Sequence, residues 1–541
     1  MLTKGRSVLA ALAAASVAVA LLPMPAAGAD LCQGLIGDRA PHASTPLAKP
    51  ALGKTVVDPE FGTRIRRITA VGPASGDAVI KPMYSTTSAW NADESKMILY
   101  HVGRGHELYD GRTYAFIRAL PIAPADIEQV YWHTSDPDVF FFPTGNRLVR
   151  YHVATGAQDT VHTFGSCTDS LTAGSDPMFM AWDSSAIGLA CGNQSFLYRI
   201  ATDTMAATAA TAGDPPQVAP SGTLAVVAGN VLDLALRPLR RLDLANPFDH
   251  AALGRNLVGH DTYNSVAYDP GPAGSGIGSL VTFDLVDGQS RVVVGPATGF
   301  PYPPSGTHVS TLAYRQPGWT FLSIVGDPAG RGVLDNELVL ADTNTGTVCR
   351  AAHHRSWGDN NTRLRNSYWA EPHVVASPSG TRAVFASDWG NGATVDSYVL
   401  ELPAYQPIQM SVTTNSATYV AGSTMTVSLR LTSFGWPETA DLYVLQVSPD
   451  GNQVLDFTPA GVLAGQLAQP SALVPLVSRL DLRSSFDATA PTFYTRPWNG
   501  NDVPGTYLLI MAAVRPGTLA DNRFDVGDVL AAGATRITFA R

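Results

Sequence analysis

Short β-rich runs, each led by a turn containing Asp, Ser, Pro or Gly, recur at intervals of about forty to sixty residues through the first four hundred positions. Seven such turns are present: Trp90-Asn91-Ala92-Asp93-Glu94, Trp132-His133-Thr134-Ser135-Asp136, Trp182-Asp183-Ser184-Ser185, Ala219-Pro220-Ser221-Gly222, Tyr268-Asp269-Pro270-Gly271, Tyr314-Arg315-Gln316-Pro317-Gly318 and Ser377-Pro378-Ser379-Gly380. An apolar run suited to a buried strand follows each turn, as at 97–100, 139–142, 224–227, 321–325 and 383–386. A second hairpin often comes next, as at 148–153 before Thr155-Gly156, 280–285 before Asp287-Gly288 and 338–341 before Thr345-Gly346. Four strands per repeat is the blade of a propeller. The chain is therefore expected to be all-β, a seven-bladed β-propeller over residues 55–403 followed by a smaller β-sandwich domain.

The seventh repeat stops one strand short, because the chain leaves 397–402 through Pro403 and Pro407. Residues 64–69, Arg-Ile-Arg-Arg-Ile-Thr, have the pattern of the missing outer strand. Pairing them with 397–402 would remove an exposed sheet edge. From 404 the spacing changes. Residues 424–432 alternate strictly, with Met425, Val427, Leu429 and Leu431 on one face, as in a half-buried antiparallel strand. With further strands at 442–447 and 507–514, residues 404–541 read as an immunoglobulin-like sandwich, although they contain no cysteine.

Residues 1–29 carry Lys4 and Arg6 ahead of an apolar stretch from 8 to 22 and a small-residue end at Ala27-Gly28-Ala29. This is the pattern of a secretory signal peptide, and the stretch is short for a membrane anchor. A Pro- and Ala-rich segment, 30–54, follows. The expected protein is secreted or periplasmic, with no transmembrane anchor after cleavage. Its formal net charge of −9, more negative once Lys4 and Arg6 are removed, is spread thinly and leaves no basic stripe for nucleic acid. In an oxidising compartment the four cysteines are expected in disulfides. Of three possible pairings, Cys167 with Cys191 is favoured because both lie in neighbouring repeats. Cys32 would then join Cys349.

At Glu371-Pro372-His373-Val374-Val375-Ala376-Ser377-Pro378-Ser379-Gly380, continuing through Phe385 to Ser387-Asp388-Trp389, the chain resembles the Tol-type propeller repeat. It is especially similar to the last blade of oligogalacturonate lyases. The resemblance implies a seven-bladed fold, a divalent metal and cleavage of uronic-acid oligomers by β-elimination. In that family a glutamine precedes His-x-His by three residues. Here Tyr368 stands at the glutamine position and Glu371 at the first histidine, so His373 alone carries over unchanged. A carboxylate at Glu371 can still ligate manganese, calcium or zinc.

Independently of that likeness, His260, His308 and His373 are each expected ahead of the turn that ends the innermost strand of blades five, six and seven. Three imidazoles at one channel mouth would suit a divalent metal, with Glu371 or Asp261 completing the set. The alternative is that His260 and His373 bind backbone between blades while His308 is solvated. The polar connection between blades six and seven, from His353 to Trp369, would overhang the same mouth. Its Trp357, Asn361 and Trp369 suit sugar binding, and Arg355 and Arg365 suit a carboxylate. His354 and Tyr368 are candidates for proton transfer. A plain solvated connector is the competing reading. No Gly-x-Ser-x-Gly, His-Glu-x-x-His or phosphate-binding glycine loop is present.

Two functions are thus open. One is an exported binding protein that holds a glycan or an envelope protein without catalysis. The other is a metal-assisted polysaccharide lyase acting on uronic-acid-containing oligosaccharides.

Overall fold

The computed structural model describes residues 30–541 apart from 72–77, 174–179, 208–214, 248, 271–275, 304–306, 358–366, 391, 435, 437, 484 and 525–527. The expected signal segment, Asn361 and Arg365 lie outside the described residues. Two compact units divide between Tyr405 and Gln406. Among the described residues no helix is long and apolar enough to cross a membrane.

The first unit is built from antiparallel sheets of the kind that make propeller blades. Six are four-stranded, and their strands follow chain order. Sheet one contains Ile80–Lys81, Lys96–His101, Gly105–Asp110 and Phe116–Ala119. Sheets two to four begin at Tyr131–Trp132, Leu171–Thr172 and Gln217–Val218. Sheet five contains Ala251–Arg255, Asp261–Ala267, Ser279–Asp284 and Ser290–Val294. Sheet six contains His308–Ser310, Trp319–Ile324, Glu337–Asp342 and Val348–His353. The first strands are only two to five residues long, since each is a pleated segment between a loop and a tight turn.

Sheet seven takes Val375–Ala376, Arg382–Ser387 and Asp396–Glu401 from the end of the unit and Arg64–Arg67 and Thr55–Val57 from its beginning. Ile65 lies opposite Leu400 and Arg66 opposite Val399. Ile65 is fully buried, while the Arg66 guanidinium reaches Glu401 at 2.9 Å. Ile65 and, just beyond the strand, Ile68 enter cores on opposite faces, and the arginines between them are paired with Glu401 and Asp396. Sheet seven meets sheet one through Ile80 N–H donating to Val395 O, 3.0 Å, and Val395 N–H donating to Ala78 O, 2.8 Å.

Apolar clusters fill the spaces between successive sheets. Ile80, Trp90, Met97 and Leu99 of sheet one pack with Val375, Val384 and Val399 of sheet seven. Met83, Ile98 and Leu108 pack with Trp132, Phe140 and Phe142 of sheet two. A strand in this arrangement is buried on both faces, which accounts for runs such as Val139–Thr144 with almost no polar side. Both disulfides form as expected. Cys32 joins Cys349 and Cys167 joins Cys191, each with Cα atoms 5.7 Å apart. After Cys32 the N-terminal segment follows the outer strand of sheet six, where Ile36 bridges Arg350.

Sheet five departs from the expected phase. The turn at Tyr268-Asp269-Pro270-Gly271 lies after the second strand, Asp261–Ala267, rather than after the first. Ala251–Arg255 is the first strand, and its Ala-Ala-Leu-Gly-Arg sequence lacks the aromatic-plus-acid ending that marks several other turns. His260 consequently stands directly before the second strand rather than before the innermost one.

The second unit contains a three-stranded sheet, Ile408–Thr414, Thr424–Phe434 and Ser485–Pro497, and a seven-stranded sheet centred on Thr439–Val447 and Gly505–Val514. Met425, Val427, Leu429 and Leu431 of the smaller sheet share a core with Leu442, Val444, Leu509 and Met511 of the larger. The strict alternation at 424–432 is therefore a buried stripe.

Candidate functional site

The starts of the innermost strands bring together side chains that are far apart in sequence. His308 opens the first strand of sheet six, and His373 stands two residues before that of sheet seven. Their ring centroids are 4.2 Å apart. Glu371 Oε2 lies 3.4 Å from His373 Nε2 and 3.7 Å from His308 Nε2. One ligand atom from each of the three residues lies within 4.8 Å of the others. Two imidazoles and a carboxylate so placed can hold a divalent metal ion. The two histidines are buried, and the Glu371 side chain is 13% exposed. His373 Nε2 is fully enclosed and makes no well-formed hydrogen bond, its polar neighbour being the Glu371 carboxylate at 3.4 Å. Its backbone is also in the left-handed region, φ +42, of the strained kind that concentrates at functional sites.

Lys81, in the first strand of sheet one, reaches the other ring nitrogen of His373. Its Nζ lies 2.5 Å from His373 Nδ1. The amine is completely buried, and burial pulls its pKa down to about 7 against the opposing pull of Glu128 and Glu371. His373 is held well below the usual imidazole range by burial first, then by Lys81, His308 and His250. Tyr368 lies over both groups. Its ring centroid is 4.9 Å from that of His373 and 4.5 Å from Lys81 Nζ. Its hydroxyl donates to Glu128 Oε1 at 2.7 Å, joining the connection before sheet seven to the loop before sheet two. Trp369 stacks on Tyr100 with centroids 6.3 Å apart and has Lys81 Nζ 5.5 Å from its own.

The sequence reading overlooked His250. It directly precedes the first strand of sheet five, and its ring stacks on His308 with centroids 4.3 Å apart. His250 Nδ1 lies 2.9 Å from both Thr307 O and the Tyr268 hydroxyl; with the ring proton on Nδ1, donated to the Thr307 carbonyl, Nε2 is left as an acceptor. Tyr84 packs its ring against all three histidines. Lys81 had also been overlooked. A rare lysine inside a strand that must be buried was the available signal.

Other expected site residues lie elsewhere. His260 belongs to a second, more exposed group with Asp284 and Asp287 that can also hold a divalent cation. Its Nδ1 is 2.8 Å from Asp284 Oδ2. Asp261 accepts the backbone N–H of Ser221 at 3.0 Å. Arg355 is buried, donating to Thr45 O and, at 3.2 Å, to Asp58 Oδ2. Trp357 is half-buried and donates its backbone N–H to Asp388 Oδ1.

His354 is fully enclosed, with Nε2 donating to Ile324 O at 2.9 Å and Nδ1 accepting from the Ser356 N–H at 3.0 Å. Burial, partly opposed by the Ile324 carbonyl, pulls its pKa down to about 3. As pH falls from about 6.5 to 3, the unfolded chain binds a proton at this histidine that the folded chain refuses, so stability should fall. Urea midpoints measured across that range should fall with acid in the native chain and less steeply in His354→Gln. Equal slopes would show that His354 is not the titrating group.

No family model matches the chain, and no curated protein matches it. Solved structures similar to it include an oligogalacturonate lyase from Vibrio parahaemolyticus, at 13% identity and TM-score 0.46 over 65% of this chain and 97% of that one. The β-propeller domain of Cps50 (Swd1) from Myceliophteria thermophila is similar at 12% identity and TM-score 0.37, over 58% of this chain and 96% of that domain.

Proposed function

We propose that the chain is an exported, metal-assisted polysaccharide lyase, acting on uronic-acid-containing oligosaccharides at the mouth of a closed seven-bladed β-propeller that carries a C-terminal immunoglobulin-like sandwich. The observation that carries this reading is the buried convergence of His308, His373 and Glu371, whose ligand atoms lie within 4.8 Å of one another, with a buried amine on the opposite side of the His373 ring. A platform that only binds a glycan or an envelope protein has no use for such a costly constellation, whereas perturbed buried groups of this kind mark chemistry. The resemblance of residues 371–389 to the last blade of oligogalacturonate lyases points the same way.

His308, His373 and Glu371 would hold the metal, and their nitrogen-rich set favours manganese or zinc over calcium. When bound, such an ion supplies positive charge that stabilises the anion formed when a uronate loses its C5 proton. For His373 Nε2 to act as a ligand the ring proton sits on Nδ1, where it is donated to an uncharged Lys81 amine. The near-neutral pKa of Lys81 is compatible with that state. His250 is assigned as the base for the C5 proton: with its own proton on Nδ1 toward Thr307 O, Nε2 is the accepting atom. Tyr368, its hydroxyl shared with Glu128, supplies a proton to the departing oxygen, and Trp369 adds an aromatic wall for a sugar ring. Arg365 and Asn361 remain in this reading as substrate contacts. Arg355, with its guanidinium bound to Asp58, and His354 are assigned to holding the connection between sheets six and seven.

The test is to incubate purified protein, with manganese, zinc or calcium, with fragments of pectin, ulvan, alginate and glycosaminoglycans and follow the absorbance of unsaturated uronide. One of these substrates should give product, and His250→Gln should lower kcat about 100-fold or more while retaining metal. No absorbance from any of them defeats the proposal.

A further inference from the structure

At the far ends of the inner strands, away from the histidine cluster, the sheets of the first unit turn back through short loops. Most of these loops are polar at the tip, as in Ala92-Asp93-Glu94, Ser135-Asp136, Asp183-Ser184, Ser221-Gly222 and Ser379-Gly380. Sheet five differs in length and in chemistry. The second strand meets an aspartate of the third where Lys96 faces Asp110 in sheet one, Trp319 faces Asp342 in sheet six and Thr262 faces Asp284 in sheet five. In sheets one and six that residue begins the second strand. In sheet five the ladder continues to Arg255 opposite Asp261, and beyond it Asn256 N–H donates to His260 O at 3.0 Å. The paired part of this hairpin thus runs two positions, roughly 7 Å, further than in sheets one and six. Its tip is Leu257-Val258. Val258 is 76% exposed, more than any other large apolar side chain among the described residues, and Leu257 is 47% exposed. The adjoining turn of the same sheet adds Val286, also exposed, and Leu285 N–H donates to Asp261 O at 2.9 Å, which holds the two turns side by side.

Three arginines ring the base of this tip. Arg255 Nη2 donates to Gly259 O and Arg240 Nη2 to Val286 O, each at 2.6 Å. Arg291 Nη1 donates to Asn344 O at 2.8 Å, and Asn344 Oδ1 in turn accepts the N–H of Leu257 at 2.9 Å. Arg291 is exposed, while Arg240 and Arg255 are half-buried. The acids nearby are largely committed. Asp261 is enclosed and accepts the N–H of Ser221, Asp342 is buried and accepts the N–H of Asn344, and Asp233 pairs with Arg237. Asp284 takes His260 and the N–H groups of Val286 and Asp287. Asp287 is the solvent-facing carboxylate among them, so the two turns present three cations against one exposed acid.

An apolar tip that stands out from the surface cannot enclose a small ligand, and it is buried only by entering something else. The ring of cations selects a surface that is anionic as well as apolar beneath. An anionic lipid bilayer offers both, an acyl boundary for the aliphatic side chains and headgroup phosphates for the guanidinium groups. We infer that the sheet-five hairpin docks the protein on an anionic membrane surface, with Leu257, Val258 and Val286 entering the headgroup region and Arg240, Arg255 and Arg291 meeting phosphates. This does not depend on the reaction proposed for the histidine cluster.

The test is flotation of the full-length protein with vesicles of phosphatidylcholine, alone or with about 30% phosphatidylglycerol, at low salt and at about 0.5 M NaCl. The protein should bind the anionic vesicles at low salt. Binding should fall about tenfold or more in high salt, in Leu257→Ser/Val258→Ser and in Arg255→Gln/Arg291→Gln. His373→Ala should bind as the native protein does. Because all four cysteines lie in disulfides, Val258→Cys supplies a single thiol for an environment-sensitive dye, whose emission should shift to the blue on anionic vesicles. Should the arginine variant fail to fold, the serine variant and the dye, both at exposed positions, decide the matter. No binding to anionic vesicles, equal binding to neutral ones, binding that the serine variant retains, or an unshifted dye would each overturn the inference. So would a dimer in sedimentation velocity that the serine variant loses, which would assign the tip to a second copy of the chain.

Discussion

Replacing Arg382 by alanine should destabilise the protein by about 3–5 kcal/mol, because it leaves a buried carboxylate without its cation. Arg382 begins the second strand of sheet seven and is almost completely enclosed. Its Nη2 donates to Glu94 Oε2 at 2.6 Å, and its Nη1 donates to Gly111 O and Tyr114 Oη, each at 2.8 Å. The guanidinium also lies 4.7 Å from the ring centre of Tyr405 and 5.1 Å from that of Trp90. These contacts fasten sheet seven to sheet one, where the beginning and end of the unit meet. Burial pushes the Glu94 carboxyl up, but Arg382 and the N–H of Ser379 outweigh it and hold the pKa below the usual value. The pair therefore contributes stability above the unfolded carboxyl pKa, and that contribution is lost as pH falls through the folded one. A second change, Glu94→Gln, should recover part of the loss in Arg382→Ala by removing the stranded charge. Urea denaturation of the four proteins measures both effects. An unchanged midpoint in Arg382→Ala would show that the contact does not secure the unit.

Removal of the His373 imidazole should weaken divalent-metal binding about 100-fold or more and abolish turnover, as expected when a direct ligand is lost rather than a supporting group. Glu371→Gln should weaken it in the same direction, since an amide oxygen is a poorer ligand than a carboxylate. Asp287→Asn, in the separate group around His260, should leave the tight site intact. Metal content after dialysis against manganese or zinc, together with calorimetric titration, distinguishes these outcomes. Equal metal content in native protein and His373→Ala would remove His308, Glu371 and His373 as a metal centre, whatever activity the protein retains.

Much of this was legible in the residues. Turn signals such as Trp90-Asn91-Ala92-Asp93-Glu94 report local backbone geometry, and the structure has a tight turn between the first and second strands there. The missing outer strand of the last repeat could be located at 64–67, because the seventh repeat ends one strand short and this β-rich run stands unassigned ahead of the first. The disulfides could be paired because Cys167, in the connection leading into sheet three, and Cys191, at the end of that sheet's second strand, fall in neighbouring repeats. Sheet five lies one strand out of the phase its turns suggest, because Ala251–Arg255 carries no distinctive ending, and so His250 rather than His260 stands at the start of its first strand. His354 and Arg355 looked like exposed loop groups. In the folded chain Ile324, Asn336 and Asp58, distant or separate in sequence, enclose them.

The recurring turns with which the sequence announces itself are determined by nearest neighbours, and so the chain alone determines the all-β repeat, the strand that completes sheet seven and the half-buried stripe at 424–432. Tertiary structure alone decides which side chains meet at the starts of the inner strands. Lys81, His250, His308 and His373 come from four different sheets, and their convergence depends on the twist and stacking of those sheets, which no local pattern records. Burial then decides their chemistry: the same packing that brings Lys81 and His373 together removes the water that favours a charged lysine and pulls its pKa down.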